Sequence, residues 1–194
     1  MREDFSNTAL IIIDVQKAFE DEKWGTRNNP NAEGNIQILL NMWREKEYPV
    51  IHIQHLSDND QSIFHPSKQS SDFKDIVVPI KDEKIFKKKV NSAFIGTGLE
   101  EHLKENNIKK VVIVGLTTPH CVSTTTRMSG NLGFETYLVS DATAAFAIKG
   151  ADGTYYTAEQ IHNVSLATLD DEFATVLTTE ELLKKLMLVE TIQS

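Results

Sequence analysis

The chain contains one cysteine, Cys121, and it lies outside any apolar run. It follows Pro119 and His120 in VVIVGLTTPHCVSTTTRMSGNLGF (111–134), where a strand-like pattern stops, turns and gives way to a helical one. A thiol reacts as thiolate, and a free thiol with a pKa of about 8.5 is mostly protonated at neutral pH. A helix N-terminus presents unpaired N–H groups and partial positive charge, so this placement predicts a lowered pKa. Two further residues complete a hydrolytic chemistry. Asp14 ends the Ile-rich run TALIIIDVQ (8–16), and Lys88 lies in EKIFKKKV (83–90). An aspartate in reach takes the thiol proton and hands it to a leaving group, while an ammonium compensates the anions that form. Backbone N–H groups in the turn before Cys121 offer a seat for an oxyanion. Together they predict attack on a carbonyl by a sulfur held ionised.

Each residue also has a plain structural role: a buried cysteine, an aspartate capping the next segment, a lysine on a solvated face. The elements around them decide between the two. The run 8–16 has no polar alternation, which suits a strand buried on both faces. Apolar residues at Ile36, Leu39, Leu40 and Trp43 predict a helix over 34–47, and 48–56 predicts the next strand. Residues 56–79 are polar and aperiodic, and a connection of that length tends to form a pocket wall or lid. A strand is expected at 83–90, a helix at 98–107, a strand at 109–116, a helix at 122–131 and a strand at 134–142. A helix at 157–168, a strand at 173–177 and a helix at 178–189 follow, the last opened by a capping box of Thr178 and Glu181. Alternating strands and helices predict a three-layer α/β/α, doubly wound and mostly parallel six-stranded sheet. Ligands in such folds bind beyond the carboxyl ends of the strands. Asp14, Lys88 and Cys121 all fall at such ends, so they are expected on one rim.

Composition sets bounds. The 194 residues carry a net charge of −8, with 40% hydrophobic and 25% charged residues, and no linker or repeat, so one domain over 1–194 is expected. The acidic balance argues against nucleic acid, for which the only basic candidate is 84–90. One cysteine forms no internal disulfide, which suits a reducing, cytoplasmic setting. The pattern contains no signal peptide and no membrane span.

The chain resembles the isochorismatase-like cysteine hydrolase superfamily, which includes nicotinamidases and N-carbamoylsarcosine amidohydrolases. The blocks ALIIIDVQKAF (9–19), KKVNSAFIGTGLEEHL (88–103) and 111–146 carry the resemblance, which spans about 8–183. It implies Asp14, Lys88 and Cys121 as the catalytic triad. It also implies a cis peptide at Leu116–Thr117, with the N–H groups of Thr117 and Cys121 as the oxyanion hole. Cys121 favours the branch that cleaves amide, ureido or lactam C–N bonds through a thioester. Vinyl-ether hydrolysis, or a non-catalytic subunit of the same fold, stands as the alternative. Nicotinamidases of the common type bind metal through Asp-x-His after the second strand, where this chain has His55 and Ser57, so no metal and no cofactor is expected. His52, His55 and His65 are the nearby histidines, with the first two facing opposite ways if they lie on a strand. Phe19, Trp24, His55, Phe94 and His120 are the pocket candidates, joined by Phe64, Phe146 and Tyr155, while Gln16 and Ser92 are candidate supports. The expected partner is a small-molecule substrate, with a homo-oligomer of at least two chains as the family's habit. Residues 147–156 are expected to shape the pocket or reach a neighbouring subunit.

Overall fold

The computed structural model describes residues 5–190. Strand β1 (Thr8–Ile13) is buried along its whole length. Its side chains alternate between two layers, as a pleated strand requires. Leu10 and Ile12 share one apolar layer with Ile36, Leu39, Leu40 and Trp43 of α1 (Ala32–Glu45) and with Leu182 and Leu186 of α5 (Thr179–Glu190). Ala9, Ile11 and Ile13 share the opposite layer with Leu99 and Leu103 of α2 (Leu99–Glu105) and with Val122. Burying each such aliphatic side chain contributes about 1.5–3 kcal/mol. The polar atom of the largest core residue is also satisfied, since Trp43 donates its indole N–H to the Thr8 carbonyl at 2.9 Å.

The remaining strands are β2 (Val50–His55), β3 (Lys84–Lys88), β4 (Lys110–Leu116), β5 (Glu135–Ala144), the hairpin β6 (Ile148–Lys149) and β7 (Tyr155–Tyr156), and β8 (Thr175–Leu177). The helices α3 (Ser123–Asn131) and α4 (Ala158–Ala167) complete the chain. Six strands form one sheet in the order β3-β2-β1-β4-β5-β8, and every pairing is parallel. The expected three-layer fold is therefore present. The order places a switch point between β1 and β4, where the crossovers run to opposite faces and leave a crevice at the carboxyl rim. The hairpin is not among the expected elements, and neither are the short 3-10 helices Lys17–Glu20, Glu22–Trp24, Gln69–Ser71 and Asp75–Val77. The Thr178–Glu181 capping box is formed, with Glu181 N–H donating to Thr178 Oγ1 at 3.2 Å and Thr178 N–H to Glu181 Oε2 at 2.8 Å. Among the described residues, no helix is long and apolar enough to cross a membrane.

Two local features shape the crevice. Ile13 pairs with Gly115, whose φ is 123°, and a Cβ on Gly115 would lie 2.1 Å from the Ile13 carbonyl oxygen. Only glycine lets β1 and β4 approach this closely just before their rim residues. The expected helix at 122–131 starts later than its pattern. Residues Thr118–Val122 form a wide π-type turn, and α3 begins at Ser123. Cys121 thus lies inside the turn, ahead of the helix.

Candidate active site

Asp14 directly follows β1, with its N–H bonded to the Ile53 carbonyl at 3.0 Å and a φ of 50°. Aspartate tolerates this left-handed conformation better than most residues, and it bends the chain off the sheet plane at the strand end. Lys88 is the last residue of β3, and its side chain is fully buried. Its Nζ lies 2.7 Å from Asp14 Oδ2 and 3.2 Å from Cys121 Sγ. Asp14 Oδ1 has no N–H or O–H donor among the described residues, and the Cys121 thiol bonds the same carboxylate. The neighbouring lysines point elsewhere, Lys87 into solvent and Lys89 onto Asp58 at 2.7 Å. Strand alternation thus selects Lys88 from the run of three.

A fourth residue touches this group. β2 and β3 pair His55 with Lys88, and Lys88 Nζ is 3.0 Å from His55 Nδ1. Burial and the Lys88 charge lower the His55 pKa to about 4, so the ring is neutral at physiological pH. It accepts the ammonium's hydrogen bond at Nδ1 and carries its own proton on Nε2. Asp14, His55 and Cys121 each offer a metal-ligand atom within 4.8 Å of the others. Lys88 Nζ is in contact with all three, so the chain supplies its own cation at the centre of that donor set. The other histidines do not converge there. His52 Nε2 contacts Glu83 Oε2 at 2.7 Å, and His65 Nδ1 contacts Ser67 Oγ at 2.7 Å.

The charge state of the sulfur differs from the sequence expectation. Burial pushes the Cys121 thiol up to about 12, with the Asp14 carboxylate adding to the rise and Lys88 opposing it. Burial likewise raises Asp14 above the ordinary carboxylate range, against the pull of Lys88. The resting sulfur is a thiol, because desolvation inside the turn outweighs the ammonium. Thiol and carboxylate thus compete for one proton beside a fixed positive charge.

A cavity of about 210 Å³ opens onto Asp14 and Cys121. Phe19, Trp24 and Phe64 form its aromatic wall, with Phe19 5.2 Å from Trp24 and 5.4 Å from Phe64 between ring centroids. His55, Thr117 and His120 also line it, and His120 Nδ1 lies 3.0 Å from Thr117 Oγ1. The Leu116–Thr117 peptide bond is cis. Asn91 borders the cavity with Oδ1 3.9 Å from Cys121 Sγ; sequence reasoning missed it, although it stands in the KKVNSAF block. Two expectations need correction. Phe94 is absent from the wall: it is buried against Phe134, with stacked centroids 6.0 Å apart, in the apolar layer shared with α2. Tyr155 is exposed on β7. Phe146 stacks on Trp24 at 5.6 Å and lines a hollow that shares Trp24 with this cavity.

The supports divide the same way. Gln16 donates Nε2 to the carbonyls of His55 at 3.0 Å and Ser71 at 2.7 Å, and accepts the His55 N–H at 2.8 Å. Ser92 instead shapes its own turn, accepting the Phe94 N–H at 3.3 Å. His162 of α4, also missed from the sequence, is buried with Nδ1 2.9 Å from Thr118 Oγ1, next to Thr117. No local signal in a helix remote from the motif blocks points to that contact.

Fold and rim together define a three-layer α/β protein with hydrolase-type residues at its switch point. The isochorismatase domain model matches residues 8–181, and the chain belongs to that family. It is 64% identical over 175 residues to the isochorismatase family protein YrdC of Bacillus subtilis, covering 90% of this chain and 94% of the relative. It is 32% identical to YddQ of the same organism, covering 91% and 99%. A crystal structure of an isochorismatase-family protein from Chromobacterium violaceum superposes with a TM-score of 0.93 at 38% identity, covering 96% of each chain.

Proposed function

We propose that this protein is a cysteine hydrolase that cleaves the C–N bond of a small carboxamide, ureido compound or lactam through a thioester on Cys121. The observation that carries the reading is the shared ammonium: Lys88 Nζ is 2.7 Å from Asp14 and 3.2 Å from Cys121, while Asp14 Oδ1 is left without an N–H or O–H donor at the cavity. A carboxylate whose pKa is raised is a competent proton acceptor and, once protonated, a competent acid. Asp14 takes the thiol proton as sulfur bonds to the substrate carbonyl carbon, and the C=O electron pair moves onto oxygen. The N–H groups of Thr117 and Cys121 receive that oxyanion. The intermediate collapses, the C–N bond breaks, and the Asp14 proton goes to the departing amine. Water then attacks the thioester, giving a proton to Asp14. The second collapse expels the sulfur, which takes that proton back, and the acid leaves. The Lys88 ammonium lies beside both Asp14 and Cys121 and compensates each anion in turn. The sulfur is ionised only while substrate is present, which spares a buried thiolate in the resting protein.

The test is a panel of small amides and ureido compounds with released ammonia as readout, together with intact mass of the quenched protein. A substrate should add its acyl mass to Cys121, and Cys121→Ser should remove turnover. Retention of more than about a tenth of wild-type kcat in that variant sinks covalent thiol chemistry. Isochorismate turnover that survives Cys121→Ala would sink C–N cleavage in favour of vinyl-ether hydrolysis.

A further inference from the structure

The cavity over Cys121 has a neighbour behind part of its wall. A second hollow of about 300 Å³ adjoins it, and Trp24, Thr117 and His120 line both. Phe146 and Ile148 give the second hollow apolar surface, and its charged residues are Lys23 and Lys149. Among the described residues, no carboxylate lines it. Neither ammonium has an ion-pair partner among the described residues, and Lys23 Nζ rests 5.5 Å from the centre of the Trp24 ring. Two of the nearby acids hold backbone or hydroxyl donors. Asp21 accepts the Lys23 backbone N–H at 2.9 Å, and Asp152 accepts the Thr154 N–H and Oγ1–H at 2.9 and 2.8 Å. The cations of the neighbouring surface cleft behave otherwise: Lys17 pairs with Asp75 at 2.9 Å, and Lys74 with Glu33 at 2.9 Å. On a chain of net charge −8, the hollow is thus lined by two ammonium groups and by no carboxylate among the described residues.

We propose that this second hollow seats a substrate carboxylate, so that the preferred substrates are amido or ureido carboxylates bound with the scissile carbonyl at Cys121 and the anion between Lys23 and Lys149. The proposal rests on the hydrolase reading for which end of the substrate reacts. The two compartments meet at Trp24 and Thr117. The linker between carbonyl and carboxylate would therefore run along the indole, which favours a short methylene chain over a branched one.

Binding can be read apart from chemistry. The protein has two tryptophans, and Trp43 is sealed in the core, so a ligand in either hollow perturbs the fluorescence of Trp24. Cys121→Ala protein is titrated with succinamate, glutaramate and adipamate, and with butyramide as the neutral control. At least one of the three anions should bind about tenfold more tightly than butyramide, as two solvent-accessible charge contacts would give. The preference should fade as ionic strength rises. The double variant Lys23→Gln, Lys149→Gln, checked for an unchanged melting temperature, should bring anion and neutral ligand to parity. Equal binding of all ligands, no saturable response to any anion, or a preference that survives the double substitution overturns the proposal. If the anions bind selectively through these lysines but the wild-type protein releases no ammonia and forms no thioester, the hydrolase reading fails and the anion seat stands.

Discussion

Strand β2 carries two histidines three residues apart, and each bonds one member of a carboxylate–cation pair, on opposite faces of the sheet. On one face, His52 Nε2 lies 2.7 Å from Glu83, which also receives Arg44 at 2.7 and 2.9 Å and the Ile80 N–H at 3.0 Å. Glu83 is saturated, and its pKa is lowered although burial alone would raise it. On the other face, His55 and Lys88 surround Asp14, whose Oδ1 has no N–H or O–H donor and whose pKa is raised by burial. The ingredients are alike, and the difference is completeness. A carboxylate given every donor it can accept is a fastener. One left short of donors, next to an open cavity and a thiol, holds reactivity in reserve.

The sharpest way to break this comparison is to neutralise each carboxylate. Asp14→Asn should lower kcat for ammonia release by about 10²–10⁴-fold, the range of a lost general acid and base. Glu83→Gln should leave kcat within about twofold and instead lower unfolding free energy by about 1–3 kcal/mol, through lost charge-assisted bonds to Arg44 and His52. Urea denaturation beside an ammonia assay reads both, and an inactive but fully stable Glu83→Gln protein would erase the distinction.

Gly115→Ala tests whether the rim depends on backbone contact. Its Cβ would meet the Ile13 oxygen at 2.1 Å, so the strands must part, at about 2–4 kcal/mol of stability with activity falling alongside. Thiol reactivity is a finer probe. With the sulfur pushed up to about 12, iodoacetamide should label Cys121 more slowly than a cysteine peptide at pH 8. Asp14→Asn removes a carboxylate that raises the thiol pKa and should speed labelling. Lys88→Met removes the opposing charge and should slow it further.

The smallest expected effect is on pH dependence. The His55 pKa is lowered from 6.5 to about 4, so the unfolded chain binds its proton first on acidification. That contribution to stability is whole above pH 6.5 and is lost as pH falls towards 4. Glu83, also lowered, acts in the same direction below its ordinary value of 4.5. Asp14 acts oppositely: its raised pKa makes the folded state hold a proton longer, so its contribution falls as pH rises above 3.8. His55→Gln should therefore flatten the decline in unfolding free energy between pH 6.5 and 4, and an unchanged slope would remove His55 from the account.

The rim was legible because parallel strands end together. Asp14 and Lys88 close recognisable strand patterns and Cys121 follows a third, so the rule points all three to one rim. What was illegible depended on three-dimensional burial. Phe94 sits three residues past Asn91 in one loop, yet one is buried against Phe134 and the other borders the cavity. No periodicity separates them. The contact of His55 with Lys88 follows from the β2–β3 register, which the sequence leaves open. The sulfur's charge state was misjudged for a related reason. A helix terminus can be read from letters, but the π-type turn and the desolvation that surrounds Cys121 cannot.

Gln16 makes one side-chain amide the meeting point of three segments: the end of β1, the end of β2 and the far side of the long connection at Ser71. The stretch 57–70 therefore forms a loop pinned at both roots, His55 on one side and Ser71 on the other, with Phe64 at the chamber from its middle. It is in effect an exchangeable cassette. A relative's loop spliced between those roots would re-tailor the chamber's lining while the clasp, and the reactive rim beneath it, keep their shape.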